Sequence, residues 1–327
     1  MMVSPVPSIA SALAEALRNH PSIRSKLGIA SATHALGLNA QSEGRIGDDA
    51  AALPNGDGWD LIAGEGFIPA FVADDPWFAG WCAVMVNLSD IAAMGGRAMA
   101  LVDQVWAPDA ETAGPVLQGL KDASVAYGVP LVGGHTNLSA PSLTLATSVF
   151  GKAKALITSF DARPGDLLIA AVDHRGAYRN FDNFCAAFDA PADQLRGDLE
   201  LLPDLAEEGL VRAGKDISQG GIAGTALMLA ECSGVAIDID LDSVTPPPGV
   251  GIDRWLRSFP SFGFLLAVSP DDANAVCSRF AARDIDASAI GRITPGSSVT
   301  LTQSTDTALF WDYRDTPYLG LSGDTHA

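Results

Sequence analysis

The sequence is poor in basic residues. It contains 20 Lys and Arg against 39 Asp and Glu in 327 residues, which gives a formal net charge of −19. Nucleic-acid backbones and anionic membranes are bound by basic surfaces, so this balance argues against both kinds of partner. It does not exclude a nucleotide, because a divalent cation can lie between protein carboxylates and phosphates.

Cysteines and long apolar runs are also scarce. The chain has no CxxC pair, and its cysteines lie far apart: Cys82, Cys185, Cys232 and Cys277. This spacing favours reduced thiols over disulfides or a metal site. The N-terminal stretch lacks the basic start and apolar run of a signal peptide, and no span reaches the length of a transmembrane helix. We therefore expect a cytoplasmic protein.

Hydrophobic periodicity predicts alternating helices and strands in two halves. In the first half we expect helices over 8–19, 78–94 and 111–128, and strands over 59–68, 98–107 and near 142–151. A Pro-Gly turn at 162–166 separates this half from a second alternation that ends in a hairpin. The pattern predicts an α/β (α+β) fold with an N-terminal domain at 1–155 and a C-terminal domain at 156–327.

Acidic residues stand at the ends of several predicted elements: Asp48, Asp49, Glu65, Asp90 and Asp216. Carboxylate oxygens in this number suit Mg²⁺, which binds through a few carboxylates plus substrate phosphates. Four of these acids also have a structural interpretation. The first two precede an apolar run that we expect to be buried, and they could form a solvated turn. Asp90 could be a buried hydrogen-bonded acid, and Asp216 could cap a turn.

Two further groups of residues point to a phosphate-bearing ligand. Asn87 lies three residues before Asp90 in an otherwise apolar helix, so the two side chains share a face. In "VGGHT", the backbone amides of Gly133 and Gly134 could reach a phosphate, and His135 follows them. Paired glycines also occur in ordinary turns, and a histidine there could be a simple loop residue.

Four segments together carry a family resemblance. "IGDDAAAL", "VNLSDIAAMGG", "VGGHT" and "KDISQGG" resemble, in order and spacing, the signature segments of the aminoimidazole-ribonucleotide (AIR) synthetase superfamily. Its members include thiamine-monophosphate kinase, selenophosphate synthetase and a hydrogenase-maturation factor. The similarity runs from about residue 40 to 295. It is strongest to the AIR-synthase-related branch, which would share "GEGFIP", "DPWFAGWCAVMVN" and "FPSFGFLL".

The resemblance implies a PurM-like two-domain fold whose N-terminal sheet pairs across a homodimer, with ATP near the interface and Mg²⁺ between acids and phosphates. By motif, Asp48, Asp49 and Asp90 would serve Mg²⁺, and Asp216 would add a carboxylate from the second domain. Glu65 stands where relatives carry an aspartate. Gly133 and Gly134 would approach the nucleotide, with Asn87, His135 and Gln219 beside it.

The sequence departs from the family pattern in places that affect the choice of activity. Gln219 replaces the second acid of the "D-x-S-D-G" motif, and His135 replaces the acid of "GGDT" or "GGET". The reactive N-terminal cysteine of selenophosphate synthetase and the cysteine tail of the hydrogenase factor have no counterpart. Three well-known activities of the superfamily therefore fit poorly.

We expect an enzyme that uses Mg²⁺ and ATP to transfer a phosphoryl group to a small metabolite. Lys215, His174 and Arg175 are the nearest cations that could stabilise a transferred phosphate, although the "HRG" segment could be an ordinary exposed turn. Two alternatives stay open. One is an ATP-dependent ligase or cyclase that passes through a phosphorylated amide or acid. The other is a nucleotide-binding partner protein without turnover, which the loss of an acid at Gln219 motivates.

Overall fold

A computed structural model describes residues 8–38, 45–179 and 181–320. The first seven and last seven residues lie outside these ranges, so the expectations drawn from both ends are not tested there. The described chain is a mixed α/β structure, as predicted, and it divides into two compact units. The five-stranded unit comprises Glu43–Ile157 and Cys185–Gly209; the seven-stranded unit comprises Met1–Ser42, Thr158–Phe184 and Leu210–Ala327.

The helices are numbered along the described chain. They are α1 Ile9–Asn19, α2 Pro21–Arg24, α3 Ile29–Ala35, α4 Pro69–Asp74, α5 Pro76–Ala93, α6 Ala110–Tyr127, α7 Ala192–Leu199, α8 Leu201–Glu207, α9 Gly221–Ser233, α10 Ile252–Trp255 and α11 Ala273–Ala281. The predicted helices over 8–19, 78–94 and 111–128 are thus confirmed as α1, α5 and α6 within about two residues at each end.

The five-stranded unit contains one mixed sheet among its described residues. Its strands are β1 Ala51–Asn55, β2 Gly58–Gly66, β3 Arg97–Trp106, β4 Leu131–Asn137 and β5 Thr144–Ala153. They lie side by side in the order β1-β2-β5-β3-β4, with β3 and β4 parallel and the other pairs antiparallel. Helix α5 packs on one face of this sheet, so the buried residues of β2, β3 and β5 point towards it.

Helix α5 is held at both ends by local features of the sequence. The Asp75 side chain caps it by accepting from the Phe78 amide at 3.3 Å, and Pro76 occupies its first turn. After Met94 the chain leaves the helix through Gly95, whose φ of 71° suits glycine. Since its residues from Phe78 to Ala93 are all buried, the helix is a central element of the unit.

Strand β1 corrects one expectation. The apolar run after Asp49 was expected to be buried, but most residues of β1 are exposed. The reason is its place at one edge of the described sheet, where β1 pairs with β2 through a hairpin. The two aspartates therefore precede an edge strand, and only Ala50 next to them is fully buried.

The seven-stranded unit contains a larger sheet and a short one. The larger sheet has the order β15-β14-β10-β13-β6-β12-β9. Its strands are β6 Leu167–Val172, β9 Ala213–Asp216, β10 Ala236–Asp240, β12 Gly263–Val268, β13 Asp286–Thr294, β14 Ser298–Gln303 and β15 Asp306–Asp312. The short sheet contains β7 Ala177–Tyr178, β8 Asn183–Cys185 and β11 Phe259–Pro260. The predicted terminal hairpin is β14 with β15.

The unit boundaries differ from a single division at 155/156. The chain does change unit at 157/158, but Met1–Ser42 groups with the seven-stranded unit and Cys185–Gly209 with the five-stranded unit. The apolar face of α1 joins the core that contains β14 and β15. Arg97 binds Glu200 at 2.6 Å and Asp204 at 2.9 Å, which ties α8 and its entry to β3. The local composition of a segment does not show which unit it packs with, so these two assignments could not be predicted.

Two expectations concern features that the sequence was predicted to lack, namely transmembrane helices and disulfides. In the part of the chain that the structure describes, no helix is long and apolar enough to cross a membrane. Among the described residues, no disulfide joins Cys82, Cys185, Cys232 and Cys277, and Cys277 is less buried than the others.

Candidate functional site

Two of the predicted acids form a close pair in the five-stranded unit. A carboxylate oxygen of Asp49, just before β1, lies within 4.8 Å of one of Asp90 on α5. Asp90 is 5% exposed, and it lies in the last turn of its helix. Two like charges at this separation repel each other, and the C-terminal end of a helix adds further negative potential. A bound cation would relieve this repulsion.

The donor set of this pair fits Mg²⁺. Both ligands are hard carboxylate oxygens, and Mg²⁺ in proteins characteristically takes one or two carboxylates and completes its shell with water and phosphate oxygens. Asp48 and Glu65 are partly buried, and neither joins the close group of carboxylates to which Asp49 and Asp90 belong. Asp48 lies beside Asp49 in the loop, whereas Glu65 lies on β2.

Asn87 is completely buried one turn before Asp90. Its Nδ2 donates to the Ala83 carbonyl at 2.8 Å and to Thr147 Oγ1 at 2.6 Å, and the Thr147 hydroxyl donates to the same carbonyl at 2.9 Å. Among the described residues, Asn87 Oδ1 has no hydrogen-bond partner. A buried acceptor without a donor costs about 1–3 kcal/mol, so this oxygen marks a place for a ligand or a water molecule.

A row of polar positions crosses the sheet beneath Asn87. Glu65 on β2 lies opposite Thr147 on β5, which lies opposite Asp103 on β3, which pairs with Gly134 on β4. Residues directly opposite each other point to the same face of a sheet. Because Thr147 bonds to Asn87 on α5, this polar row, as we call these four positions, faces the helix.

Asp103 is a further candidate residue of the polar row, and it was not predicted from the sequence. Apart from its own amide, no described residue donates a hydrogen bond to its side chain, and partial burial raises the pKa of this carboxyl. A half-buried acid without a cation partner is more typical of a functional site than of a structural one. The signal in the sequence was an acid inside the mostly apolar strand "AMALVDQVWA".

The predicted phosphate-binding glycines lie on the exposed edge strand β4. Gly133 has nothing within 4 Å of the position of a Cβ, so its backbone is open to approach. At Gly134 the same position would be 2.4 Å from Asp103 Oδ1. Glycine is therefore required at position 134 by its neighbour, a reason that the sequence did not show. His135 is exposed and lies in register with Gln104.

The remaining predicted residues belong to the seven-stranded unit. Asp216 is buried at the end of β9, and Lys215 before it is also buried, with its Nζ 3.4 Å from Ser159 Oγ. Successive strand residues point to opposite faces, so the ammonium group and the Asp216 carboxylate point away from each other. Gln219 is exposed in the turn that precedes α9.

His174 and Arg175 are held by contacts within their own unit. Arg175 binds the buried Asp173 with two nitrogens, Nε at 2.8 Å and Nη2 at 3.0 Å. The His174 ring meets Trp255 edge-on at 5.1 Å between centroids, and its Nδ1 lies 3.4 Å from Asp286. Burial lowers the pKa of His174, which favours the neutral ring near pH 7. These contacts position the loop that both residues occupy.

Comparison with known proteins gives consistent matches. The family model described as AIR synthase related protein, N-terminal domain, matches residues 47–153, and the corresponding C-terminal domain model matches residues 189–303. An uncharacterized Synechocystis sp. protein, sll0787, is 46% identical over 283 residues, which cover 86% of this chain and 88% of the relative. Thiamine-monophosphate kinase of Methanopyrus kandleri is 28% identical over 278 residues, 79% of this chain and 85% of the kinase.

A solved structure gives the same fold. T. maritima PurL complexed with ATP superposes with a TM-score of 0.69 over 83% of this chain, at 18% identity. The chain spans 46% of that PurL chain, about half its length. At this identity the likeness shows the fold alone.

Proposed function

Because the chain belongs to the AIR synthase related family, we propose that it is an Mg²⁺-dependent enzyme that uses ATP to phosphorylate a small metabolite. The observation that carries this proposal is the close pair of Asp49 and Asp90, with the fully buried acceptor Asn87 Oδ1 one turn away. The kinase among the relatives, and the ATP complex of PurL, support ATP as the phosphoryl donor.

In this proposal the protein supplies positioning and electrostatic stabilisation. Asp49 and Asp90 would hold Mg²⁺, which neutralises phosphate charge when bound. Asn87 Oδ1 would accept a hydrogen bond from a ligand N–H or O–H, and the open backbone at Gly133 would let a ligand approach β4. Glu65 and Asp103 would bind donor groups of ATP or of the acceptor along the polar row.

The other predicted site residues enter as separate proposals. Asp48 and Asp216 would contribute further carboxylates to Mg²⁺, as the family motifs imply, and His135 and Gln219 would contact the nucleotide. Lys215, His174 and Arg175 would stabilise the transferred phosphate or anchor the acceptor. Each of these assignments is tested by its own substitution in the assay below.

We also propose a homodimer formed through the open face of the five-stranded sheet. Ile62 on β2 and Phe150 on β5 lie directly opposite each other on the face that α5 does not cover. Their side chains are exposed to 47% and 37%, respectively. Large apolar side chains exposed side by side on a sheet are typical of a surface that a partner covers.

The test is calorimetric titration of ATP with and without Mg²⁺. We expect binding to require Mg²⁺ and to weaken at least about tenfold, or about 1.4 kcal/mol, in Asp49→Asn and Asp90→Asn. Asp57→Asn is the matched control, since this exposed aspartate lies in the nearby β1–β2 hairpin. Equal affinity in EDTA and in Mg²⁺ would contradict the metal assignment.

Product analysis then decides between the activities. Incubation with Mg²⁺-ATP and a pool of metabolites should yield ADP and a stable phosphorylated product. Release of inorganic phosphate with a newly joined product would instead indicate the ligase or cyclase. If no metabolite causes ATP consumption although Mg²⁺-ATP binds, the chain is a nucleotide-binding partner protein.

A further inference from the structure

Two arginines of the seven-stranded unit share one carboxylate. Arg254 Nε lies 3.2 Å from Asp182 Oδ1, and Arg257 Nη1 lies 2.8 Å from Asp182 Oδ2. Within the described residues, the two arginines make no other ion pairs. The trio of Arg254, Arg257 and Asp182 therefore carries two positive charges and one negative charge. The trio is thus locally positive in a chain whose net charge is −19.

The geometry of the trio is set by its neighbours. The Arg254 guanidinium stacks on the Tyr178 ring at 3.4 Å from the ring centroid, and Arg254 Nη2 donates to the Phe181 carbonyl at 3.0 Å. The Tyr178 hydroxyl lies 2.5 Å from Ser258 Oγ, which donates back to the Arg254 carbonyl at 2.8 Å. An arginine fixed in this way loses little side-chain entropy when it binds a ligand.

Both arginines keep donor groups that the contacts above do not use. Their side chains are 40% and 22% exposed, and each guanidinium has five N–H donors. Arg257 uses one nitrogen, Nη1, in its ion pair with Asp182, which leaves its remaining donors for a ligand. Two neighbouring guanidinium groups with spare donors match the paired oxygens of a phosphate or a carboxylate.

The trio adjoins the turn of the "KDISQGG" motif. A Cβ on Gly221 would lie 2.4 Å from the Arg257 Cα, so the backbone of Arg257 packs directly against this turn. Lys26 Nζ lies 3.3 Å from Ser218 Oγ, which places a cation at the same turn. His20 is close enough to Arg257 for its pKa to be lowered, after the larger effect of burial. The arginine pair is therefore anchored to the motif through the backbone of Arg257.

We infer that Arg254 and Arg257 form a binding site for an oxyanion group of the small-molecule acceptor, a phosphate or a carboxylate. The identity of the ligand as the acceptor rests on the proposed function, whereas the oxyanion site itself does not. Asp182 and Tyr178 act as positioning residues that hold the two guanidinium groups. The acceptor class is thus a small anionic metabolite.

The experiment titrates inorganic phosphate, and separately acetate, into the full chain in EDTA at constant ionic strength. We expect binding that weakens at least about tenfold in Arg254→Gln and in Arg257→Gln. Arg292→Gln is the control, since it removes one charge from an exposed side chain of the same unit and should change the affinity less than about twofold. Tighter binding of phosphate than of acetate assigns a phosphate-bearing acceptor, and the reverse order assigns a carboxylate.

Arg257→Lys tests whether a loss of oxyanion binding comes from misfolding. It keeps the charge beside Asp182 but not the planar fork, so we expect a wild-type melting temperature and weakened oxyanion binding. Three results would overturn the inference: no binding of either anion at about 10 mM, unchanged binding in both glutamine variants, or an equal loss in Arg292→Gln. Failure of Mg²⁺-ATP to bind, with the oxyanion site intact, would reject the proposed function alone.

Discussion

The carboxylate of Asp103 occupies the space that a side chain at position 134 would need. A Cβ on Gly134 would lie 2.4 Å from Asp103 Oδ1 and 2.3 Å from the Asp103 carbonyl oxygen. The two residues face each other across the parallel pair of β3 and β4. In the "VGGHT" segment, Gly134 thus leaves room for the Asp103 carboxylate, whereas the backbone at Gly133 is open to a ligand.

Gly134→Ala should therefore destabilise the protein. The new methyl group meets backbone as well as side-chain atoms, so β4 must shift, and we expect a loss of about 1–3 kcal/mol in the free energy of unfolding. Gly133→Ala is the matched control one residue away, because nothing lies within 4 Å of its Cβ position. Urea denaturation of both variants makes the comparison. Equal stabilities would show that β4 and the Asp103 side chain can both shift at no cost.

Asp103→Asn should separate function from stability. Burial raises the pKa of Asp103 above its ordinary value of 3.8, so the folded protein retains this proton to a higher pH than the unfolded chain does. Stability from this group is complete below the unfolded-state pKa and is lost as the pH rises through the folded-state pKa. At pH 7 the variant should melt at the same or a higher temperature, while turnover falls.

Asp109→Ala is the control for Asp103→Asn, because the pKa of Asp109 is lowered whereas that of Asp103 is raised. Asp109 caps α6 by accepting from the Thr112 amide at 2.8 Å, and this hydrogen bond lowers its pKa. Its contribution is present at neutral pH and is lost as the pH falls through the lowered pKa. The variant should melt at a lower temperature at pH 7, with the difference narrowing in acid. The measurement is thermal melting of both variants from pH 3 to 8. If Asp103→Asn also lowered the melting temperature at pH 7 and this difference narrowed in acid, the raised pKa of Asp103 would be contradicted.

Ile62→Asp and Phe150→Asp should dissociate the proposed dimer. Each places a charge in the open face of the five-stranded sheet, where burial against a partner would be costly. Val125→Asp is the control, since Val125 on α6 is 66% exposed and is a similarly apolar surface residue of the same unit. Light scattering at micromolar concentration should show a wild-type and Val125→Asp dimer and two monomeric variants. A monomeric wild type would contradict the dimer itself.

Glu231→Ala should destabilise the seven-stranded unit. This buried carboxylate on α9 accepts from the amides of Tyr318, Leu319 and Gly320 at 3.0, 2.7 and 3.1 Å. Hydrogen bonds to a charged group contribute about 1.5–3 kcal/mol each, so we expect a loss of at least about 3 kcal/mol. Glu15→Ala, an exposed acid on α1, should change stability by less than about 0.5 kcal/mol. Denaturant titrations of both variants provide the measurement.

Local periodicity predicted the elements that are strongly patterned. Helices α1, α5 and α6 and strands β2, β3 and β5 all lie where apolar spacing and end signals placed them. Strand β1 was not predicted, because an exposed edge strand of small residues lacks an alternating pattern. The proximity of Asn87 to Asp90 followed from helix geometry, since residues three apart share a face in any α-helix.

Composition and spacing by themselves determined the strongly patterned helices and strands, the acidic character of the chain and the candidate acids, because these depend on composition or on near neighbours in sequence. Only the tertiary structure decided which of those residues meet. Asp49, just before β1, meets Asp90 on α5 through tertiary packing, and Asp103 meets Gly134 through strand register. The shared carboxylate of Arg254 and Arg257 comes from a segment more than 70 residues earlier. Contacts of this kind depend on register and packing between distant segments, and a one-dimensional pattern does not contain either.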